Sequence, residues 1–138
     1  MADTVAEVMT YHPAAVEADQ PVCAAAALMR DHDTGAVIVN ENGRIQGIIT
    51  DRDIAVRVVA AEKSPQTPVR EACSPYVEAI DPDTTIDQAV RIMRSHAVRR
   101  LPVLEDGRAV GIVSLGDLAL ERDPHSALAD ISAAEGNQ

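Results

Sequence analysis

Gly47-Ile48-Ile49-Thr50-Asp51-Arg52-Asp53 and Gly111-Ile112-Val113-Ser114-Leu115-Gly116-Asp117 carry one pattern, G-x-x-[T/S]-x-x-D, twice at an offset of 64. Working outward, the same offset aligns residues 5–54 with 69–118 without a gap, through Val5/Val69, Glu7/Glu71, Asp19/Asp83, Met29/Met93, Gly43/Gly107 and Ile48/Ile112. Identities spread over that length mark an internal duplication. A unit this small struggles to bury its own apolar faces, so two copies are expected to pack into one pseudo-twofold body.

Each copy reads as β-α-β-β-α, an α/β (α+β) pattern. Apolar residues at i, i+3, i+4, i+7 (Val22, Ala25, Ala26, Met29; Ile86, Ala89, Val90, Met93) predict a first helix, with Asp19 and Asp83 as expected N-caps. Ala36–Asn40 and Arg100–Leu104 turn at Glu41-Asn42-Gly43 and Glu105-Asp106-Gly107 into Ile45–Ile49 and Ala109–Val113, which predicts hairpins. Second helices are expected over Asp51–Glu62 and Leu115–Arg122, and short leading strands over Ala15–Glu17 and Glu78–Ile80. The chain then divides into a first copy (1–62), a linker (63–68), a second copy (69–122) and a C-terminal tail (123–138), whose Leu128 and Ile131 are its docking candidates.

Twelve Lys and Arg against 22 Asp and Glu give a net charge of −10, with pI near 4.6. Nucleic acid and anionic membranes are therefore not expected as partners, since both reward clustered cations. With no long apolar run and no basic leader, a soluble cytoplasmic protein is expected. Cys23 and Cys73 have no nearby second ligand, so no metal site is expected and both read as small buried residues. His32 and His96 end the first helices, where they meet the negative dipole end. Asp51 and Asp53 read as complements to a helix start. No nucleophile stands with a base, so an enzyme is not expected.

The duplicated motif has two readings. Thr50 with Asp53, and Ser114 with Asp117, fit a capping box. The same groups suit a nucleotide: free helix N–H groups and a hydroxyl for phosphate, a glycine for close approach, and a carboxylate for the two ribose hydroxyls.

Recurrence of that motif at matched places, together with Val98-Arg99-Arg100-Leu101-Pro102-Val103 and its weaker counterpart Thr34-Gly35-Ala36-Val37-Ile38-Val39, resembles the CBS domain in its tandem form, the CBS pair or Bateman module, over about residues 5–122. The stand-alone bacterial type, which includes hypoxia-response proteins of actinobacteria, is the nearest in kind. The resemblance implies two repeats packed sheet to sheet, with a cleft holding adenosyl ligands: AMP, ADP, ATP, NAD(H) or S-adenosylmethionine. It implies a regulatory sensor with no required cofactor, the nucleotide or S-adenosylmethionine acting as regulatory ligand.

Carried over, Asp53 and Asp117 would hold ribose, Thr50 and Ser114 would approach phosphate beside Gly47 and Gly111, and adenine would meet backbone around Ala15, Val16, Ala79 and Ile80. Arg99 and Arg100 replace Gly35 and Ala36, which predicts two unequal sites. The resemblance also implies a homodimer through the second helices, around Ile54, Val58, Val59, Leu118 and Leu120. A second class stays open, an interaction module that docks an unidentified protein partner without any small ligand.

Overall fold

A computed structural model describes residues 3–75 and 78–122. The tail 123–138, with Leu128 and Ile131, lies outside the described residues. Among the described residues six strands and four α-helices follow in the order β1 (Thr10–Tyr11), β2 (Ala15–Glu17), α1 (Val22–His32), β3 (Ala36–Glu41), β4 (Arg44–Thr50), α2 (Asp51–Ile54), α3 (Ile86–His96), β5 (Arg100–Glu105), β6 (Arg108–Ser114) and α4 (Leu115–Arg122). The strands form two three-stranded sheets, ordered β2-β3-β4 and β1-β6-β5.

The hairpins close on two residues each. Asn42 and Gly43 have φ of 54° and 77°, Asp106 and Gly107 have 54° and 79°. Positive φ at both turn positions matches the twist of the flanking strands. Both hairpins shift register at the same aligned place, between Val39 and Asn40 and between Val103 and Leu104.

The compact units cut across the repeat boundaries. One unit holds 14–75, the other 3–13 with 78–122. Each copy's leading residues thus belong with the other copy's sheet. Val5 N–H donates to the Thr84 carbonyl at 2.9 Å, and Val69 N–H donates to the Gln20 carbonyl at 2.8 Å, the same bond at the 64-residue offset. Val5 and Val69 are both fully buried. Val5 and Met9 fill a core with Ile86, Met93, Leu101 and Val113; Val69 and Ala72 fill the other with Val22, Val37, Ile49 and Val58. The lead segments also pair with strand edges: Thr10 lies opposite Ile112 on β6, and Ser74 lies opposite Ile48 on β4. Burial of an apolar anchor and completion of edge hydrogen bonds favour this exchange.

Several expectations are corrected. Asp19 and Asp83 do not cap the first helices. Pro21 takes the N-cap position of α1 without a side-chain bond. Carbonyls of the linker do the capping instead, Thr67 accepting from Val22 N–H at 2.8 Å and Pro65 from Cys23 N–H at 3.1 Å. Thr85 caps α3 in a capping box with Gln88, because a hydroxyl directly before the first helical residue reaches the third N–H, whereas Asp83 stands too early. Glu78–Ile80 is not a strand: Ile80 makes a single parallel bridge to Val103 before the turn through Asp81. The second helix of the first copy is α-helical only to Ile54 and widens into a π-helix over Ala55–Val59. Cys23 is exposed and Cys73 half-buried, since Cys23 sits on the solvent side of the first helical turn.

Candidate functional site

Both G-x-x-[T/S]-x-x-D motifs end a strand and start a helix, β4 into α2 and β6 into α4. In the first, the Thr50 hydroxyl accepts from Asp53 N–H at 3.1 Å while Asp53 Oδ2 accepts from Thr50 N–H at 2.9 Å. In the second, Ser114 and Asp117 repeat those bonds at 3.1 and 2.9 Å. The capping boxes therefore exist, and each fixes its carboxylate by one oxygen, leaving Oδ1 for other partners.

What the glycines accommodate is the exchanged segment. A Cβ on Gly47 would overlap the main-chain carbonyl of Ser74, and one on Gly111 would meet the Met9 thioether. Close approach is real at both, with protein as the neighbour.

The corners differ around that shared frame. Arg100 is the cross-strand partner of Ser114, where Ala36 is the partner of Thr50. Directly opposed residues share a face, so an arginine stands across the ladder from the hydroxyl of the second corner, where the first has an alanine. Arg99 is exposed, and its carbonyl accepts from Leu115 N–H at 2.8 Å. Burial pushes the Asp117 carboxyl above its ordinary value, against the opposing pull of the Ser114 N–H and hydroxyl. Asp53 instead accepts from the Ser74 hydroxyl at 3.3 Å and lies 3.8 Å from Arg57 Nε.

Ser74 was missed by sequence reasoning. The signal was present, since the offset aligns it with Thr10, another hydroxyl, but both fall in segments assigned to the wrong neighbour.

Of the expected adenine contacts, Val16 and Ile80 have buried side chains. Ile80 also spends its main chain in the sheet, donating to Pro102 and accepting from Leu104. Ala15 is exposed and Ala79 half-exposed. Ala15 lies on β2, which pairs within its sheet only with β3. Ala79 and Ile80 line an open cavity of about 410 Å³ with Asp81, Thr84, Gln88, Arg91 and Ile92. Elsewhere, His96 Nε2 lies 3.6 Å from Glu78, and Asp51 accepts from Arg52 N–H. Among the described residues no three His, Cys, Asp or Glu gather as a metal site. No helix among them is long and apolar enough to cross a membrane. Val58 and Leu118, expected in a dimer face, are core residues, whereas Val56 and Val59 are 51% and 68% exposed. Both lie in the π segment.

Duplicated sheets with a capped hydroxyl-carboxylate corner after each hairpin define a tandem two-repeat module. The family model described as CBS domain matches residues 5–60 and 69–123, and the chain belongs to that family as a CBS pair. It is 40% identical over 133 residues to the CBS domain-containing protein YhcV of Bacillus subtilis, covering 94% of this chain and 95% of that one. It is similar to the crystal structure of Hypoxic Response Protein I with two coordinated zinc ions, at a TM-score of 0.76 and 35% identity over 84% of this chain and 96% of that one. The CBS domain pair of protein MJ0100 in complex with 5′-methylthioadenosine and S-adenosylmethionine matches at a TM-score of 0.75 and 25% identity, over 84% and 96% of the two chains. Proteins of this family are generally non-catalytic regulatory modules.

Proposed function

We propose that this chain is a cytoplasmic sensor that binds an adenosyl ligand, AMP, ADP, ATP, NAD(H) or S-adenosylmethionine, at its Thr50/Asp53 and Ser114/Asp117 corners. The observation that carries the reading is the orientation of the two carboxylates: each is held by one oxygen in a capping box, at the same place in both copies. A fixed carboxylate is preorganised to accept from a ribose diol, and the neighbouring hydroxyl is placed for a phosphate or other polar extension. Arg100 opposite Ser114 makes the second corner the stronger anion site. Aliphatic walls suit the adenine in a chain with two Tyr and no Phe or Trp. Ligand occupancy acts by its differential affinity for two states of the protein, one of them a homodimer.

The exposed Val56 and Val59 favour a second reading, in which the π segment docks another protein and the corners are structural caps.

Isothermal titration calorimetry with AMP, ATP, NADH and S-adenosylmethionine on wild type, Asp53→Asn and Asp117→Asn separates the two. The sensor reading expects at least one ligand to bind and to lose about tenfold or more in affinity in the variant whose corner it occupies. Four silent titrations with folded protein would reject it in favour of protein docking.

A further inference from the structure

The outer oxygen of Asp53 is already in use. Oδ1 accepts from the Ser74 hydroxyl at 3.3 Å and faces Arg57 Nε at 3.8 Å. Arg57 does not stop there, since its Nη1 donates to the carbonyls of Cys73 at 3.2 Å and Ala72 at 3.4 Å. One guanidinium therefore links the carboxylate after β4 to Ala72 and Cys73, which by sequence belong to the lead segment of the second copy. At the second corner the offset puts Thr10 and Glu121 in the places of Ser74 and Arg57, so Arg57 has no basic counterpart at that position.

We propose that Arg57 and Ser74 form a clamp on Asp53 which a ribose diol must displace, so that filling the first corner loosens the lead segment of the second copy. The proposal rests on the adenosyl-sensor reading and adds to it the element through which occupancy of that corner is felt. A carboxylate oxygen has about two lone-pair directions; at Oδ1 the Ser74 hydroxyl takes one at 3.3 Å and the Arg57 guanidinium stands 3.8 Å off as an ion-pair partner, so a diol competes with both. The competition is feasible because the Arg57 side chain is 49% exposed; a half-hydrated ion pair is weak and readily exchanged. Once the guanidinium leaves the carboxylate, its grip on the two carbonyls loses its anchor. What then holds the segment to β4 is the reciprocal pair Ile48 N–H to Ser74 carbonyl and Ser74 N–H to Ile48 carbonyl, each 3.0 Å. Those amides report the clamp, and the β1–β6 pair around Thr10 and Ile112 is the internal control.

Amide hydrogen exchange measured by NMR on the full chain tests this. In ligand-free Arg57→Gln, exchange at Ile48 and Ser74 is expected to rise about tenfold with Thr10 and Ile112 unchanged; unchanged Ile48 and Ser74 would overturn the clamp. In wild type, saturating AMP or 5′-methylthioadenosine is expected to raise the same two rates, and not to raise them further in Arg57→Gln. Calorimetry on the same samples separates the failures. Binding that Asp53→Asn abolishes, without acceleration at Ile48 and Ser74, rejects the clamp alone. No binding of either probe at the Asp53 corner rejects the clamp together with the sensor reading of that corner.

Discussion

At the end of β4, Thr50 stands across the ladder from Ala36, and Asp53 leans on Ser74 and Arg57. At the end of β6, Ser114 stands across from Arg100, and Asp117 has Ser114 as its hydrogen-bond partner. The backbone frame and the capping box are common to both; the cation has changed sides. In the first corner Arg57 lies 3.8 Å from the carboxylate; in the second Arg100 stands across the ladder from Ser114. Duplication thus preserves main-chain geometry, while one cross-strand position and one i+4 position decide where positive charge falls and hence what each corner can hold.

The glycines give the sharpest way to break the comparison. Gly47→Ala drives a methyl into the Ser74 main chain, which cannot move without losing the Ile48–Ser74 bonds, and it is expected to cost about 3 kcal/mol. Gly111→Ala meets the flexible Met9 side chain and is expected to cost about 1 kcal/mol. Urea unfolding midpoints of the two variants check this, and equal losses would mean that the lead segments are held alike. A smaller and symmetric effect is expected from the hydroxyls. Thr50→Ala and Ser114→Ala each remove one cap acceptor and should each cost about 1 kcal/mol.

The smallest effect concerns pH. The folded Asp117 carboxyl sits above its ordinary 3.8 through burial, so the native state keeps this proton to higher pH than the unfolded chain does. Its contribution favours folding in acid, below the unfolded pKa, and is lost as pH rises through the folded value. The melting temperature of wild type relative to Asp117→Asn should therefore fall from about pH 4 to about pH 7. A constant difference would mean that the buried carboxylate carries no such cost.

Much of this was legible in the chain. The 64-residue offset located both corners, and alternating or helical apolar spacing located the hairpins and most helices. Less legible was anything depending on non-local partners. The N-cap of α1 went to Asp19 on local preference, yet linker carbonyls from Pro65 and Thr67 satisfy those N–H groups. β1 spans only Thr10 and Tyr11, too short for a periodic signal, and exists because β6 offers it an edge. Cys23 read as buried because it had no ligand partner or disulfide pattern to suggest another role, although its place on the helix turns it to solvent.

The sequence by itself determined the duplication, the α-β-β-α order common to both copies, both hydroxyl-carboxylate caps and the uneven distribution of arginine, because each is a property of local spacing that the backbone must express. Only the tertiary structure decided which copy each lead segment completes, why Gly47 and Gly111 have no side chain, and that Ser74 and Arg57 meet at Asp53. Those outcomes depend on which apolar core takes up Val5 or Val69 and which strand edge lacks a partner, and burial and hydrogen bonding between residues far apart in the chain resolve them only when the fold closes.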